Sequence, residues 1–227
     1  YSAVFSVFLR IKPSVGDPSG LNSYAVFLLV TLLPWQFHVT SLTEANRSIT
    51  ANSSLITKIY FPRWVLPTSA VLARFTTLVV EMAVLLVLVA TIEGHIAFQW
   101  LPIVLVLMLL QLLFTVGLAL MISAANVYFR DIQHFLLVAL QPWMFLTPIL
   151  YPLNLVPADR EFLGVDYRTL YQLNPMVSWA KAYRNVLYDL RFPSAERWLA
   201  ILVATGVVLA VGFRVFNRLE PRMAEEV

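Results

Sequence analysis

The sequence predicts an all-α membrane protein of about six transmembrane helices, the first of them truncated, with short amphipathic helices between the fifth and the sixth. Three observations carry that prediction. Five long apolar segments divide the chain, and a sixth, cut short, occupies residues 1–9. The cleanest segment, residues 101–122, has Gln111 as its one strongly polar member, and a helix needs about 20 apolar residues to cross a bilayer core. Hydrophobic residues make up 59% of the 227 and charged residues 13%, against about 25% charged in soluble domains. An ordinary soluble globular domain is excluded.

Each element follows from local pattern. The apolar stub begins without an initiator Met or the positively charged region of a signal peptide, so the natural N-terminus is expected to be missing. Pro13, Gly16, Asp17, Pro18 and Gly20 make residues 10–20 a loop. The second span covers about residues 21–43. Through the polar stretch 40–58 at and beyond its end, Leu42, Ala45, Ile49, Ile56 and Ile59 keep a helical spacing, which predicts a helix continuing into an aqueous or protein-lined setting. The third span, residues 65–92, contains Arg74 and Glu81, and a Glu93-Gly94-His95 turn leads to the fourth. A polar connection at 126–134 holds Arg130 and Asp131. The fifth span, about 132–151, carries Pro142 and Pro148 and meets Pro152, which break or end its helix.

Residues 152–197 mix turns, charges and apolar side chains without a full-length apolar run. Within them Asn174-Pro175 opens an amphipathic helix over about 176–190. This region is expected to lie against the other helices or at the outer membrane surface, capping the exit as an external gate. Residues 198–216 are the last span and 217–227 a polar tail. One domain, residues 1–227, accommodates all of this, and six spans place both termini on one side. Lysine and arginine bias in the loops does not choose that side: the loops on the side of the termini hold seven, Arg47, Lys58, Arg63, Arg130, Arg214, Arg218 and Arg222, and the opposite loops hold eight.

Several chemistries are absent. Without cysteine the chain has no disulfide, thiolate nucleophile or sulfur metal ligand. His38, His95 and His134 fall in three different parts of the chain, none spaced as a metal pair, so no metal site is expected. The net charge of +3 fits lipid headgroups better than nucleic acid. No GxxxxGK[ST] stretch exists to cradle phosphates, so the chain cannot hydrolyse ATP in the P-loop manner and is not expected to be an enzyme. Two glycosylation patterns, at Asn46 and Asn52, are common by chance.

Two sets of residues invite a functional reading. Arg74 and Glu81 lie two turns apart on one face, separated by about 10 Å, and a charge unpaired in lipid costs at least about 2.5 kcal/mol. Arg74 is near enough to its helix start to snorkel to the interface. Glu81 is deeper and requires a partner or water, which keeps proton coupling open. The aromatic residues Trp35, Phe37, Trp143, Phe145 and Tyr151 sit near prolines of the second and fifth spans. Their faces suit the C–H surfaces of sugars in a translocation path, whereas the ordinary alternative is an interfacial aromatic belt.

Two connections are more specific. The run Ser54-Leu55-Ile56-Thr57-Lys58-Ile59-Tyr60-Phe61-Pro62-Arg63, continuing through Leu66-Pro67, resembles the loop between the second and third helices of bacterial type-2 ABC exporter permeases. Asn126-Val127-Tyr128-Phe129-Arg130-Asp131-Ile132 resembles the next cytoplasmic connection of that family, and the match extends through Thr147-Pro148-Ile149-Leu150-Tyr151-Pro152 and Leu173-Asn174-Pro175-Met176. The nearest branch is the polysaccharide and polyol-phosphate exporters, which move O-antigens, teichoic acids, capsular glycans or galactan.

The resemblance implies that Tyr60, Phe61, Pro62, Arg63, Arg130 and Asp131 face the cytoplasm and touch a separate ATPase subunit. It further implies a homodimer in the bacterial inner membrane, two nucleotide-binding subunits that hold ATP and Mg, no cofactor in this chain, and a lipid-linked glycan substrate. Trp64 stands where relatives commonly have an acidic residue, which puts an ion pair there in doubt. Three lysines among sixteen basic residues lean toward a GC-rich genome and an actinobacterial glycan such as galactan. A proton-coupled secondary transporter using Glu81 and a membrane glycosyltransferase are the competing classes.

Overall fold

The computed structural model describes residues 15–59, 61–92, 97–152, 161–162, 165–166 and 171–223. The described α-helices are α1 (Tyr24–Ser48), α2 (Ser53–Lys58), α3 (Val65–Ile92), α4 (Leu101–Tyr128), α5 (Ile132–Phe145), α6 (Pro175–Leu187) and α7 (Ala195–Leu219). Short 3-10 turns occupy Thr50–Asn52, Ala97–Trp100 and Glu220–Arg222. Among the described residues the fold is all-α apart from a two-residue antiparallel ladder pairing Glu161 with Asp166 and Phe162 with Val165. The expected first span and the turn at 93–95 lie outside the described residues.

Among the described residues four helices are long and apolar enough to cross a membrane: α1, α3, α4 and α7 with its closing turn. The fifth expected span differs. It is helical only over the 14 residues of α5, about 21 Å at 1.5 Å per residue, short of the roughly 30 Å of a hydrocarbon core. Proline explains where it stops: Pro148 has no N–H to offer the Met144 carbonyl and biases Thr147 away from helical backbone. The Thr147 N–H instead tightens onto the Met144 carbonyl at 3.3 Å, and the chain turns.

The helix expected to run on through residues 40–58 does so in pieces. Leu42, Ala45 and Ile49 are fully buried, which holds α1 in helix to Ser48, and α2 then resumes with Ile56 inward. Ile59 breaks the pattern, being extended and exposed. The spans divide by environment: α1 and α4 are 61% buried over their most apolar stretch, α3 is 28% and α7 22%. The outward valines and leucines of α3 and α7, such as Val80, Val84, Leu199 and Val207, are what helices solvated by lipid require.

The chain forms two compact units. The first holds residues 1–35, 81–108 and 142–201, the second 36–80, 109–141 and 202–227. In the first unit the turn after α5 is tied to α1, because Tyr24 donates to the Leu150 carbonyl at 2.8 Å and Thr31 to the Ile149 carbonyl at 3.3 Å. Arg184 of α6 donates to the same Ile149 carbonyl at 2.8 Å and lies 3.8 Å from the Phe27 ring centroid. Burial pulls its guanidinium down to about 9, still charged at neutral pH. The amphipathic helix of the sequence reading is α6, yet it is buried nearly all round, Trp179, Ala182 and Tyr183 included. It is packed among other elements and does not float on a surface.

In the second unit α1 and α4 run parallel. His38 Nδ1 meets Thr115 Oγ1 at 3.0 Å, and further along both helices the Asn126 amide donates to the Asn46 carbonyl at 2.9 Å. Gly117 of α4 and Gly212 of α7 let two backbones touch. A Cβ on Gly117 would stand 2.7 Å from the Val208 carbonyl oxygen, and one on Gly212 2.9 Å from the Gly117 Cα. Lipid tails are as apolar as leucine, so helices in a membrane gain from such close van der Waals packing rather than from exclusion of water.

Candidate functional site

Most of the residues marked by the two connections gather in the second unit. Tyr60 lies outside the described residues. The Pro62 and Arg63 carbonyls accept the N–H groups of Val65 and Leu66, each at 3.2 Å, and so start α3. Arg63 is gripped from far along the chain: its backbone N–H donates to Glu220 Oε1 at 3.1 Å, and its guanidinium Nη1 donates to the Glu220 carbonyl. Trp64 packs edge-on to Phe213, with centroids 6.3 Å apart. The Glu220 carboxylate thus binds the backbone at Arg63, while the guanidinium is held by the Glu220 main-chain carbonyl and not by a carboxylate. A cleft of about 640 Å³ opens here, lined by Lys58, Phe61, Arg63, Trp64, Asn217 and Glu220 among others.

Arg130 and Asp131 form the second connection, both exposed. The Asp131 carbonyl accepts the His134 and Phe135 N–H groups at 3.0 Å and opens α5. Arg130 borders a smaller cleft of about 220 Å³ with Thr50, Asn126 and Gln133. Just before it, the Tyr128 hydroxyl donates to the Leu219 carbonyl at 2.7 Å. Phe129, Arg218, Pro221 and Arg222 join Tyr128 around a third, largely apolar cleft of about 560 Å³. Sequence reasoning missed Tyr128, Leu219 and Glu220 as partners because the tail read only as polar.

The intramembrane charges separate in role. Arg74 pairs with Glu44 of α1 through its Nη2, and both side chains are about two-fifths exposed. The sequence reading has Arg74 snorkel to the interface; the structure gives it a partner on α1, and at such exposure an ion pair contributes little stability. Glu81 is partly buried, with no ion pair among the described residues. Among the described residues no three His, Asp or Glu side chains gather to hold a metal.

The aromatic candidates do not stay together. Trp35 and Phe37 are buried, Trp35 edge-on to Trp143 with centroids 5.9 Å apart and Phe37 edge-on to Phe75 at 6.0 Å. Their helix packing within the single chain leaves them no free face. Trp143 and Tyr151 are partly exposed and Phe145 is 59% exposed. These three sit where α5 ends, and polar groups finish that end. The hydroxyls of Tyr151 and Tyr171 lie 2.6 Å apart, and both reach the Phe145 carbonyl, at 2.6 and 3.2 Å. Burial and the Tyr171 hydrogen bond push the Tyr151 hydroxyl well above its ordinary range.

Asn174 completes the arrangement with both ends of its amide. Its Oδ1 accepts from Trp143 Nε1 at 3.0 Å and from the Met176 N–H at 3.1 Å, capping the start of α6. Its Nδ2 donates to the Leu146 carbonyl at 3.1 Å and to Thr147 Oγ1 at 3.0 Å. One side chain therefore closes α5 and opens α6.

The family model of the ABC-2 type transporter matches residues 3–188. The chain belongs to the ABC-2 type transporter family. It is similar to the O-antigen export system permease protein RfbA of Myxococcus xanthus, 32% identical over 231 residues that cover 100% of this chain and 82% of the relative. It is similar also to the protein of the same name in Klebsiella pneumoniae, 27% identical over 226 residues, 99% of this chain and 81% of the relative. This ABC-2 family member is accordingly a multi-pass transmembrane subunit of an ABC transporter, and membership implies association with an ATPase subunit.

Proposed function

We propose that the chain is the permease half of an ATP-driven exporter that moves a lipid-linked polysaccharide or polyol-phosphate polymer across the bacterial inner membrane. It works as a homodimer with two nucleotide-binding subunits, which hold ATP and Mg. The O-antigen export for which its relatives are named supports a surface glycan of that kind, and teichoic acid and galactan are further candidates among envelope polymers. The observation that carries the reading is the convergence of Phe61, Pro62, Arg63, Arg130 and Asp131 in one unit, with two cationic side chains beside open clefts. Closure of the ATPase subunits on nucleotide presses on these connections and moves the spans attached to them. Arginine suits such contacts because its planar fork binds carboxylates and carbonyls bidentately and stays charged.

The partly exposed rings at the end of α5, Trp143, Phe145 and Tyr151, are the part of the aromatic set available to border a glycan path. Ring faces cover sugar C–H surfaces while the hydroxyls stay solvated. Trp35 supports this from behind by packing on Trp143.

Replacing Arg63 or Arg130 by Ala is expected to uncouple glycan export from ATP hydrolysis with the protein still present in the membrane. Wild-type export by both variants in the native strain sinks the reading. Export driven by a proton gradient without ATP supports a Glu81-based transporter, and sugar-nucleotide turnover by the isolated chain a glycosyltransferase.

A further inference from the structure

The turn that ends the last helix holds both connections at once. Glu220 takes the Arg63 N–H on its carboxylate at 3.1 Å and the Arg63 guanidinium on its carbonyl. One residue earlier, the Leu219 carbonyl accepts the Tyr128 hydroxyl at 2.7 Å, two residues before Arg130. Pro221 borders the cleft of Phe61 and also the cleft of Phe129. Met223, immediately after, is fully buried and anchors the turn.

Electrostatics argue that Glu220 is placed for Arg63 rather than for its own helix. A carboxylate is unfavourable at a helix C-terminus and favourable at an N-terminus. Glu220 follows the C-terminus of α7, whose last turn otherwise carries the conventional Arg218, but its side chain reaches the N-terminal entry of α3. The local cost on α7 is offset at the start of the second helix.

Resting on the ATP-driven reading, we infer that the Leu219–Arg222 turn is a coupling strap, with Glu220 and Tyr128 as positioning residues. Without it the α2–α3 and α4–α5 connections are separate levers, each attached to its own helices. Bound to one rigid turn, they move as one body when a nucleotide-binding subunit presses on either. The strap also brings α7 into the motion, since the turn continues directly from that helix.

The test uses the complete permease–ATPase complex, measuring ATP hydrolysis by the purified complex and extractable surface polysaccharide in the native strain. Glu220→Ala removes the carboxylate acceptor, and Tyr128→Phe removes one hydroxyl while keeping the ring. Each is expected to leave complex assembly intact and hydrolysis within about twofold while export falls, about tenfold for Glu220→Ala, the size of one lost hydrogen bond to a charged group, and about fivefold for Tyr128→Phe, the size of a lost neutral one. Glu220→Gln, which keeps an oxygen for the Arg63 N–H, is expected to recover most export. Wild-type export per ATP in both Glu220→Ala and Tyr128→Phe overturns the strap, as does a loss of export that in both variants only follows a loss of complex. If Glu220→Ala fails to assemble, Tyr128→Phe decides. A wild-type complex whose export ignores ATP rejects the underlying reading instead, so the two failures are distinguishable.

Discussion

Replacing Asn174 by Ala removes four hydrogen bonds at once, and the structure sets their scale. Loss of an N-cap costs about 1 kcal/mol. The bonds to Trp143 Nε1, Thr147 Oγ1 and the Leu146 carbonyl are neutral, each contributing about 1 kcal/mol when buried. Asn174 is partly exposed and the Leu146 bond is open to solvent, so water replaces part of what is lost. The net expectation is about 2 kcal/mol, which for a domain of this size lowers Tm by roughly 4–8 °C. Asn174→Asp keeps the acceptor for Met176 and Trp143 but turns a carboxylate toward the Leu146 carbonyl, so it is expected to fall between wild type and Ala. Thermal unfolding of the detergent-purified protein, followed by tryptophan fluorescence, measures both. A Tm for Asn174→Ala within about 1 °C of wild type, below even the smallest N-cap effect, would refute the assignment of Asn174 as the shared cap of α5 and α6.

Other outcomes follow from specific contacts. Gly212→Val is expected to separate α4 from α7 and sharply reduce folded protein in the membrane, whereas Gly206→Ala, with open space around its Cβ, is expected to be tolerated; gel filtration of both reads this directly. In this cysteine-free chain Ala182→Cys and Tyr183→Cys are expected to resist a membrane-impermeant thiol reagent because both positions are fully buried, while Leu173→Cys, at a residue 74% exposed, is expected to react. In the proposed topology Leu173→Cys labels from the side opposite an Arg130→Cys probe, and labelling of both from the same side overturns it.

Much of the fold was legible because a bilayer imposes simple rules. Spans 65–92 and 101–122 announced themselves by length and composition, and α3 matches the first to the residue while α4 runs on to Tyr128. The start of α6 was legible too, since Asn174-Pro175 is a local signal and the cap it predicts is formed. The fifth span is legible only in part: the sequence marks Pro142 and Pro148 alike as helix breakers, yet Pro142 stands inside α5 and the helix stops just before Pro148. Arg63 and Arg130 could be marked as a site through local motifs, whereas Glu220, 157 positions from Arg63, carried no mark at all.

Sequence alone determined that this chain lies in a membrane, where several of its helices start and that these 227 residues contain no GxxxxGK[ST] stretch. Those are properties of single segments, decided by transfer free energy and local backbone chemistry. Tertiary structure decided that Arg74 answers to Glu44, that Trp35 and Phe37 are packed away, that α6 is buried on nearly every side and that the last turn ties two connections together. Periodicity is degenerate for such questions. It tells which face of a helix is apolar, but lipid and a neighbouring helix satisfy an apolar face equally well, and only the packed arrangement distinguishes them.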